Sequence, residues 1–296
     1  MTYNFKIIDI SNSETEDELR MLYKAAFKNP VVIPKGYLFK NTNTNASLPT
    51  YFIAAIDNGN IVGCSAFIPF DFYKVNVLCV GYQIVWSATL PEYQGQRVYV
   101  NLIDFAKKYL KTKGASFLFA NSNHSSHPIF VNKLGFKTVP NSLLKIPNIP
   151  ILKKYFFKNS FIENNIMRSR EMLHPDEFQI INWKKQEHRE KIEVVNIGES
   201  FLWGKVLYRK LYGIKITFFY VGGIRLESSK DALKLVNKIF STYKIYYVQI
   251  VSIETNPLNN LFSSWTKNEM SGFNFFDLTH KLDEKFNLMY GIVDTF

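Results

Sequence analysis

The amino-acid sequence predicts an α/β (α+β) protein in which mixed sheets are flanked by helices. Three observations carry this prediction. Apolar runs typical of strands alternate along the chain with segments whose apolar residues recur at helical spacing. An Asn-Gly pair separates two of the strand-like runs, as in a hairpin. With 296 residues, 47% of them hydrophobic, the chain is long enough for two folded domains.

The first elements are a strand and a capped helix. Phe5–Ile10 is predicted to be a strand. Ser13 and Thr15 then precede an acidic first turn, and apolar side chains from Leu19 to Phe27 recur on one helical face. This pattern predicts an amphipathic helix that packs against a sheet.

The next elements are strands. Residues 51–56 and 61–69 flank the Asn58-Gly59 pair and are predicted to form a hairpin, and residues 75–89 continue as strand. A helix follows over residues 98–113 and ends at a glycine. Beyond it we expect a short buried strand, 117–120, a short helix, 128–134, and a further strand.

The second half of the chain has a similar order of elements. A helix over 232–240, a strand over 245–251, an Asn-Pro pair, a helix over 258–265 and Gly272-Phe273 follow one another as their counterparts do upstream. This order predicts two α/β halves, joined by a Lys- and Asn-rich connector that carries a short helix.

The composition of the chain narrows the classes of function that it can have. The net charge of +11 is spread along the chain without a long basic run, which argues against nucleic acid and fits either a small polyanionic ligand or simple solubility. Neither a secretory signal nor a membrane span is recognisable, so we expect a cytoplasmic protein. Cys64 and Cys79 lie in strand-like runs, and no metal-ligand spacing is present.

The most informative segment is LPEYQGQRVY, residues 90–99, between a strand and a helix. A turn that presents backbone N–H groups at a helix N-terminus binds anions, because unpaired donors and the helix dipole point the same way. By itself the segment predicts a cradle for phosphate or carboxylate.

Together with FLFANSNHSSHPIFVNKLGFKTV downstream, this segment resembles the acyl-CoA-binding core of the GNAT superfamily. The resemblance is close over residues 80–140, and the Asn-rich loop and the end of the chain are similar to acetyltransferases of bacterial surface-polysaccharide gene clusters. It implies tandem GNAT-like domains: an acyl-CoA-binding domain, 1–148, a connector, 149–191, and a degenerate domain, 192–296, that closes the acceptor cleft.

The resemblance also implies a binding site for acetyl-CoA or another acyl-CoA. The loop amides would hold the diphosphate, and a splay between two parallel strands would expose backbone groups to the pantetheine arm. Phe130 belongs to the same core, in the matching PxFxxKLGF segment. The cofactor-binding residues expected on this basis are Ala88, Thr89, Gln94, Gly95, Gln96, Arg97, Val98, Tyr99, Asn123 and Phe130.

Three residues depart from the family pattern. Arg97 stands where the family has Gly, Tyr99 where it has Gly or Ala, and Val131 where it has its acid tyrosine. Arg97 could add a charge-assisted contact to the diphosphate, or the larger side chains could crowd it.

The sequence leaves more than one candidate for the catalytic base. His124 and His127 lie near the cradle, and a histidine suits proton transfer at neutral pH, although both could cap the next helix instead. The other candidates are Tyr290 with Asp294, Asp71 and Glu92.

The leading hypothesis is transfer of an acetyl or other acyl group from coenzyme A to an amine of a small acceptor, such as an amino sugar or nucleotide sugar. The alternatives are a non-catalytic GNAT-like binding protein and a Fem-like aminoacyl transferase, which the absence of a coiled-coil insertion and basic patch disfavours. The protein is expected to be a monomer or homodimer.

Overall fold

The computed structural model describes residues 3–27, 32–123, 125–149, 172–186, 191–253, 266–280 and 282. The chain divides into two compact units. Unit 1 comprises residues 1–71, 79–138 and 274–282, and unit 2 comprises 72–78, 139–273 and 283–296. Both contain sheets and helices, which confirms the predicted α/β class. None of the described helices is long and apolar enough to span a bilayer.

The sheet of unit 1 has five neighbouring strands: β1 (Asn4–Ile8), β2 (Tyr51–Asp57), β3 (Asn60–Lys74), β4 (Val77–Thr89) and β5 (Phe117–Asn121). The pairs β1–β2 and β2–β3 are antiparallel, whereas β4 and β5 are parallel. The predicted hairpin is present, since Asn58 and Gly59 both have positive φ between β2 and β3. Beyond β5 lies β12 (Thr266–Asp277), whose residues from Asn274 onwards belong to this unit.

The strand predicted over 75–89 begins later than expected. β3 runs on to Lys74, and Val75 and Asn76 have φ values of 48° and 63°, so they form the turn before β4. The sequence gives little sign of this turn, because valine is a strand former that rarely adopts a left-handed conformation.

The helices of unit 1 are α1 (Ser13–Ala26), α2 (Tyr37–Asn41) and α3 (Val98–Thr112). Asn12, rather than Ser13 or Thr15, caps α1, because its side chain accepts a hydrogen bond from the Glu14 N–H over 2.8 Å. After β5, the helix predicted over 128–134 is a single π-helical turn, Ile129–Lys133.

The sheet of unit 2 has the order β6 (Lys137–Pro147), β11 (Tyr247–Ile253), β10 (Ile214–Arg225), β9 (Ser200–Leu211) and β8 (Ile192–Ile197). Helix α5 (Ser229–Thr242) connects β10 to β11, which are parallel. The connector contains β7 (His174–Pro175), which pairs with the end of β3, and the expected short helix, α4 (Glu177–Gln186).

Unit 2 therefore has a strand–helix–parallel strand order, as unit 1 has in β4, α3 and β5. The helix predicted over 258–265 lies outside the described residues. The tandem arrangement and its boundaries stay a prediction.

Candidate functional site

The site in unit 1 begins where β4 separates from β5. Their parallel pairing covers Gly81–Gln83 and Phe117–Phe119, and within the described residues it ends before β4 reaches Ala88 and Thr89. Trp86 lies in this stretch with a φ of 50°, a left-handed conformation that a bulky residue rarely adopts within a strand. Such a residue re-aims the chain that follows it. On the side that faces β5, backbone groups of this stretch are consequently available to a ligand, while on the other side β4 continues beside β3.

The loop after β4 is held by local hydrogen bonds. Pro91–Tyr93 forms a 3₁₀ turn, and the Gln94 side chain donates to the Thr89 carbonyl oxygen over 3.1 Å. Gly95 then has a φ of 77°, which glycine adopts without steric cost. These contacts turn the chain sharply from the strand into the first turn of α3.

Arg97 occupies the N-cap position of α3 with φ 62° and ψ 13°, a left-handed conformation. Its side chain makes no capping hydrogen bond, and the first turn contains no acidic residue. The N–H groups that begin an α-helix lack carbonyl partners within it, and the helix dipole adds positive potential there. The start of α3 therefore favours an anion.

A cavity of about 410 Å³ opens at this helix start. Seven predicted cofactor-binding residues line it: Ala88, Thr89, Gln94, Gly95, Arg97, Val98 and Tyr99. Its other lining residues include Ser87, Ser126 and the exposed Lys133, none of which the family resemblance indicates. The cavity thus carries two cations, Arg97 and Lys133, at a helix N-terminus, an environment suited to a diphosphate.

The remaining three predicted residues are not among the lining residues. Gln96 accepts a hydrogen bond from the Tyr3 hydroxyl over 2.7 Å and donates to the Glu92 carbonyl, so it braces the loop. Asn123 caps its own turn, because its Oδ1 accepts from the Ser126 N–H over 2.9 Å. Phe130 is buried in the core of unit 1.

Tyr99 lies across the space between β4 and the turn that follows β5. Burial raises the pKa of Tyr99 to about 12, and a hydrogen bond with Ser87 opposes that rise. Its ring contacts Phe130 edge-on, with 6.2 Å between centroids. Ser87 Oγ in turn lies 2.7 Å from Ser65 Oγ. Where the family resemblance implies a small residue, this chain places a phenol linked to two serines.

Of the histidines near the cradle, the structure describes His127. Its Nδ1 lies 3.0 Å from the buried Ser122 Oγ. Asn274, on β12, donates to the same Ser122 Oγ over 2.6 Å and accepts from Thr138 Oγ1 over 2.7 Å. Ser122 Oγ has two lone pairs, so it can accept hydrogen bonds from both Asn274 and the Nδ1–H of His127, and in that tautomer Nε2 of His127 is unprotonated.

The other catalytic candidates are less informative. His124, Tyr290 and Asp294 lie outside the described residues. The buried Asp71 accepts three hydrogen bonds from Ser47, one of them from the hydroxyl over 2.7 Å, so it fixes a loop. Glu92 is exposed on the 3₁₀ turn.

A second cavity of about 410 Å³ lies beside the loop over residues 42–50. Asp9 is the one ionisable residue among those that line it. It offers no positive charge, so the cavity at α3 is the better site for an anionic cofactor.

Comparisons with known proteins bear on the family and the fold. Residues 16–136 match the model of the acetyltransferase (GNAT) family. Three solved structures are similar to the chain. A probable N-acyltransferase from Enterococcus faecalis has 13% sequence identity and a TM-score of 0.62, and the match covers 94% of this chain and 73% of that one. A GCN5-related N-acetyltransferase from Anabaena variabilis has 12% identity and a TM-score of 0.64 (94% and 74% covered), and Eis1 from Mycobacterium abscessus has 10% identity and a TM-score of 0.60 (95% and 74% covered).

At these identities the structural likeness concerns the fold alone. No curated protein matches the sequence significantly. The family model supports a GNAT acetyltransferase domain over residues 16–136, and the solved structures support a GNAT-like fold.

Proposed function

We propose that the protein transfers an acyl group, acetyl by default, from coenzyme A to an amine of a small acceptor. The observation that carries this proposal is the cavity at the start of α3. It brings together the end of β4 beyond its pairing with β5, the loop over 94–97 and the cations Arg97 and Lys133. These are the elements that a thioester with a diphosphate and a long pantetheine arm requires.

In this proposal different groups of the chain bind the two parts of the cofactor and remove the proton from the amine. The first N–H groups of α3, with Arg97 and Lys133, bind the diphosphate, and backbone groups at Ala88 and Thr89 bind the pantetheine arm. The amine attacks the thioester carbonyl directly, the C–S bond breaks, and coenzyme A leaves as the thiol. The amine must first lose a proton, and we assign its removal to His127, beside the cavity-lining Ser126, with Ser122 fixing the ring.

The experiment that tests this function is a paired measurement of binding and turnover. Thermal melting with acetyl-CoA, free coenzyme A and 3′,5′-ADP shows whether the cavity binds the cofactor; a ligand at 100 times its Kd adds about 2.7 kcal/mol to the free energy of unfolding. Release of free thiol from acetyl-CoA, with amino sugars and nucleotide-linked amino sugars as acceptors, measures transfer. A thermal shift with acceptor-dependent thiol release supports the proposal, and the absence of any shift contradicts it.

A second candidate, a non-catalytic acyl-CoA-binding or ligand-binding protein, is favoured by Tyr99. Its side chain, held by Ser87 and Phe130, lies along the expected path of the pantetheine arm. This candidate predicts a thermal shift with coenzyme A or 3′,5′-ADP but no thiol release with any acceptor. The same paired measurement therefore separates the two functions.

A further inference from the structure

Unit 2 carries a protruding two-stranded ribbon, formed by residues 206–217 of β9 and β10. β8 pairs with β9 only over residues 200–205, and β11 pairs with β10 only over residues 218–221. Between these limits β9 and β10 pair with each other and, in the described part of the chain, with no further strand. We call this segment the β9–β10 ribbon.

The tip of the ribbon exposes large apolar side chains. The exposed fractions are 96% for Tyr212, 63% for Ile214 and 43% for Leu211, and Ile214 and Leu211 are direct cross-strand partners. Scattered single apolar residues are ordinary on a surface, but a contiguous group at the end of a protrusion marks an interaction site.

The turn at the tip contains an unfavourable residue. Tyr212 and Gly213 have φ values of 48° and 79°, the same signs as Asn58 and Gly59 in the β2–β3 turn. Asn-Gly is the preferred pair for such a turn, and an aromatic residue in the left-handed region is strained. Folding alone would favour asparagine at position 212, so the exposed tyrosine there costs stability without improving the turn.

The strands of the ribbon carry positive charge, and two lysines flank its tip. Residues 200–226 include Lys205, Arg209, Lys210, Lys215 and Arg225 and no acidic residue. Lys210 and Lys215 are direct cross-strand partners, an arrangement that destabilises a hairpin through repulsion. Lys215 Nζ lies 4.4 Å from the centroid of the Tyr208 ring. None of the described carboxylates forms an ion pair with Arg209, Lys210 or Lys215.

We propose that the β9–β10 ribbon docks the protein on an anionic phospholipid surface. Tyr212, Leu211 and Ile214 enter the interface between headgroups and acyl chains, where tyrosine is favoured. Lys210 and Lys215 lie at headgroup depth and bind lipid phosphates and carboxylates. A second copy of this chain fits the ribbon poorly, because tip-to-tip contact would bring two like-charged clusters together. The proposal is independent of the acyltransferase assignment.

The test is co-sedimentation of the full chain with vesicles of phosphatidylcholine alone and of phosphatidylcholine mixed with phosphatidylserine. We expect binding to the mixed vesicles only. Lys210→Gln with Lys215→Gln should weaken partitioning by roughly 20–30-fold, since each basic residue near an anionic surface contributes about 1 kcal/mol. The matched control is Lys108→Gln with Lys111→Gln on α3, which should bind as the wild type does.

Tyr212→Asn separates docking from folding. It installs the preferred Asn-Gly turn, so the melting temperature should stay the same or rise while vesicle binding falls several-fold. A fall in melting temperature with unchanged vesicle binding would mean that Tyr212 has a structural role and would overturn the proposal. So would the absence of binding to the mixed vesicles, or binding that the lysine variants leave unchanged. Binding to soluble heparin but not to vesicles would assign the ribbon to a soluble polyanion instead.

Discussion

Asn274 donates a hydrogen bond to Ser122 Oγ over 2.6 Å, across 152 residues of sequence. The contact ties β12 to the loop that carries His127, whose Nδ1 lies 3.0 Å from the same oxygen. Asn274 is fully buried, and its Oδ1 also accepts a hydrogen bond from Thr138. A buried polar network of this kind fixes one side-chain arrangement, because each unpaired member would lose its solvation without compensation.

Asn274→Leu should therefore destabilise the protein and release His127. The change leaves the hydroxyls of Ser122 and Thr138 without this partner, and we expect the free energy of unfolding to fall by about 1–3 kcal/mol. Urea unfolding measures the loss, and Asn101→Leu on the exposed face of α3 is the control. If acyl transfer needs an oriented His127, kcat should fall while the affinity for coenzyme A is kept. Equal unfolding curves for wild type and variant would refute the network's importance.

Gly95→Asp should abolish binding of coenzyme A. The carboxylate would stand beside the helix start and compete with the phosphates for the same donors. Gly95 has a φ of 77°, so any side chain there is strained, and Gly95→Ala is the control that reproduces the strain without the charge. Calorimetry should give weak binding for Gly95→Ala and none for Gly95→Asp. Similar affinities in the two variants would place the diphosphate elsewhere.

Arg97→Gly should have opposite effects on stability and on binding. The left-handed φ of 62° at this position destabilises the fold by about 1 kcal/mol with arginine but not with glycine. The free energy of unfolding should therefore rise slightly in the variant. Loss of the guanidinium should weaken coenzyme A binding by about 1–3 kcal/mol, the usual contribution of a charged hydrogen bond. Thermal melting and calorimetry check the two effects separately, with Arg97→Lys retaining a positive charge. Stronger binding by Arg97→Gly would show that arginine obstructs the site.

Tyr99→Ala should strengthen acyl-CoA binding. The phenol lies between Ser87 and Phe130, along the expected path of the pantetheine arm, and alanine restores the small residue of the family pattern. Tyr99→Phe keeps the ring and removes only the hydroxyl, so its affinity should stay near that of the wild type. Weaker binding by Tyr99→Ala would instead make the ring part of the wall that the arm contacts.

Glu177 should make stability depend on pH. Burial raises the pKa of Glu177 from 4.5 to about 7, although the Trp203 indole N–H donates to its carboxylate. A carboxyl group whose pKa is higher in the folded state than in the unfolded state stabilises the fold fully at a pH below its unfolded-state pKa. This stabilisation is lost as the pH rises through the folded-state pKa. The free energy of unfolding should thus fall between about pH 4.5 and 7, on the order of 1–3 kcal/mol. Glu177→Gln should flatten this fall in urea titrations, and an unchanged slope would contradict the assignment.

Local patterns in the sequence were sufficient for several parts of the site. Asn58-Gly59 predicts its hairpin because few residue pairs accept two positive φ values. The loop over 90–97 predicts an anion cradle because unpaired N–H groups follow any strand-to-helix turn of this kind. Seven of the ten expected cofactor-binding residues line one cavity, since they are neighbours in sequence and on the same turn.

Only the tertiary structure decided the rest. Lys133 joins the cavity from the π-helical turn after β5, and Tyr99 meets Ser87 and Phe130 across the gap beside β4. Asn274 reaches Ser122 because β12 lies next to β5. Periodicity and turn chemistry act over a few residues, whereas these contacts depend on how distant segments pack. The sequence by itself determined the loop and the helix start that frame the cavity, and packing determined which distant side chains line it.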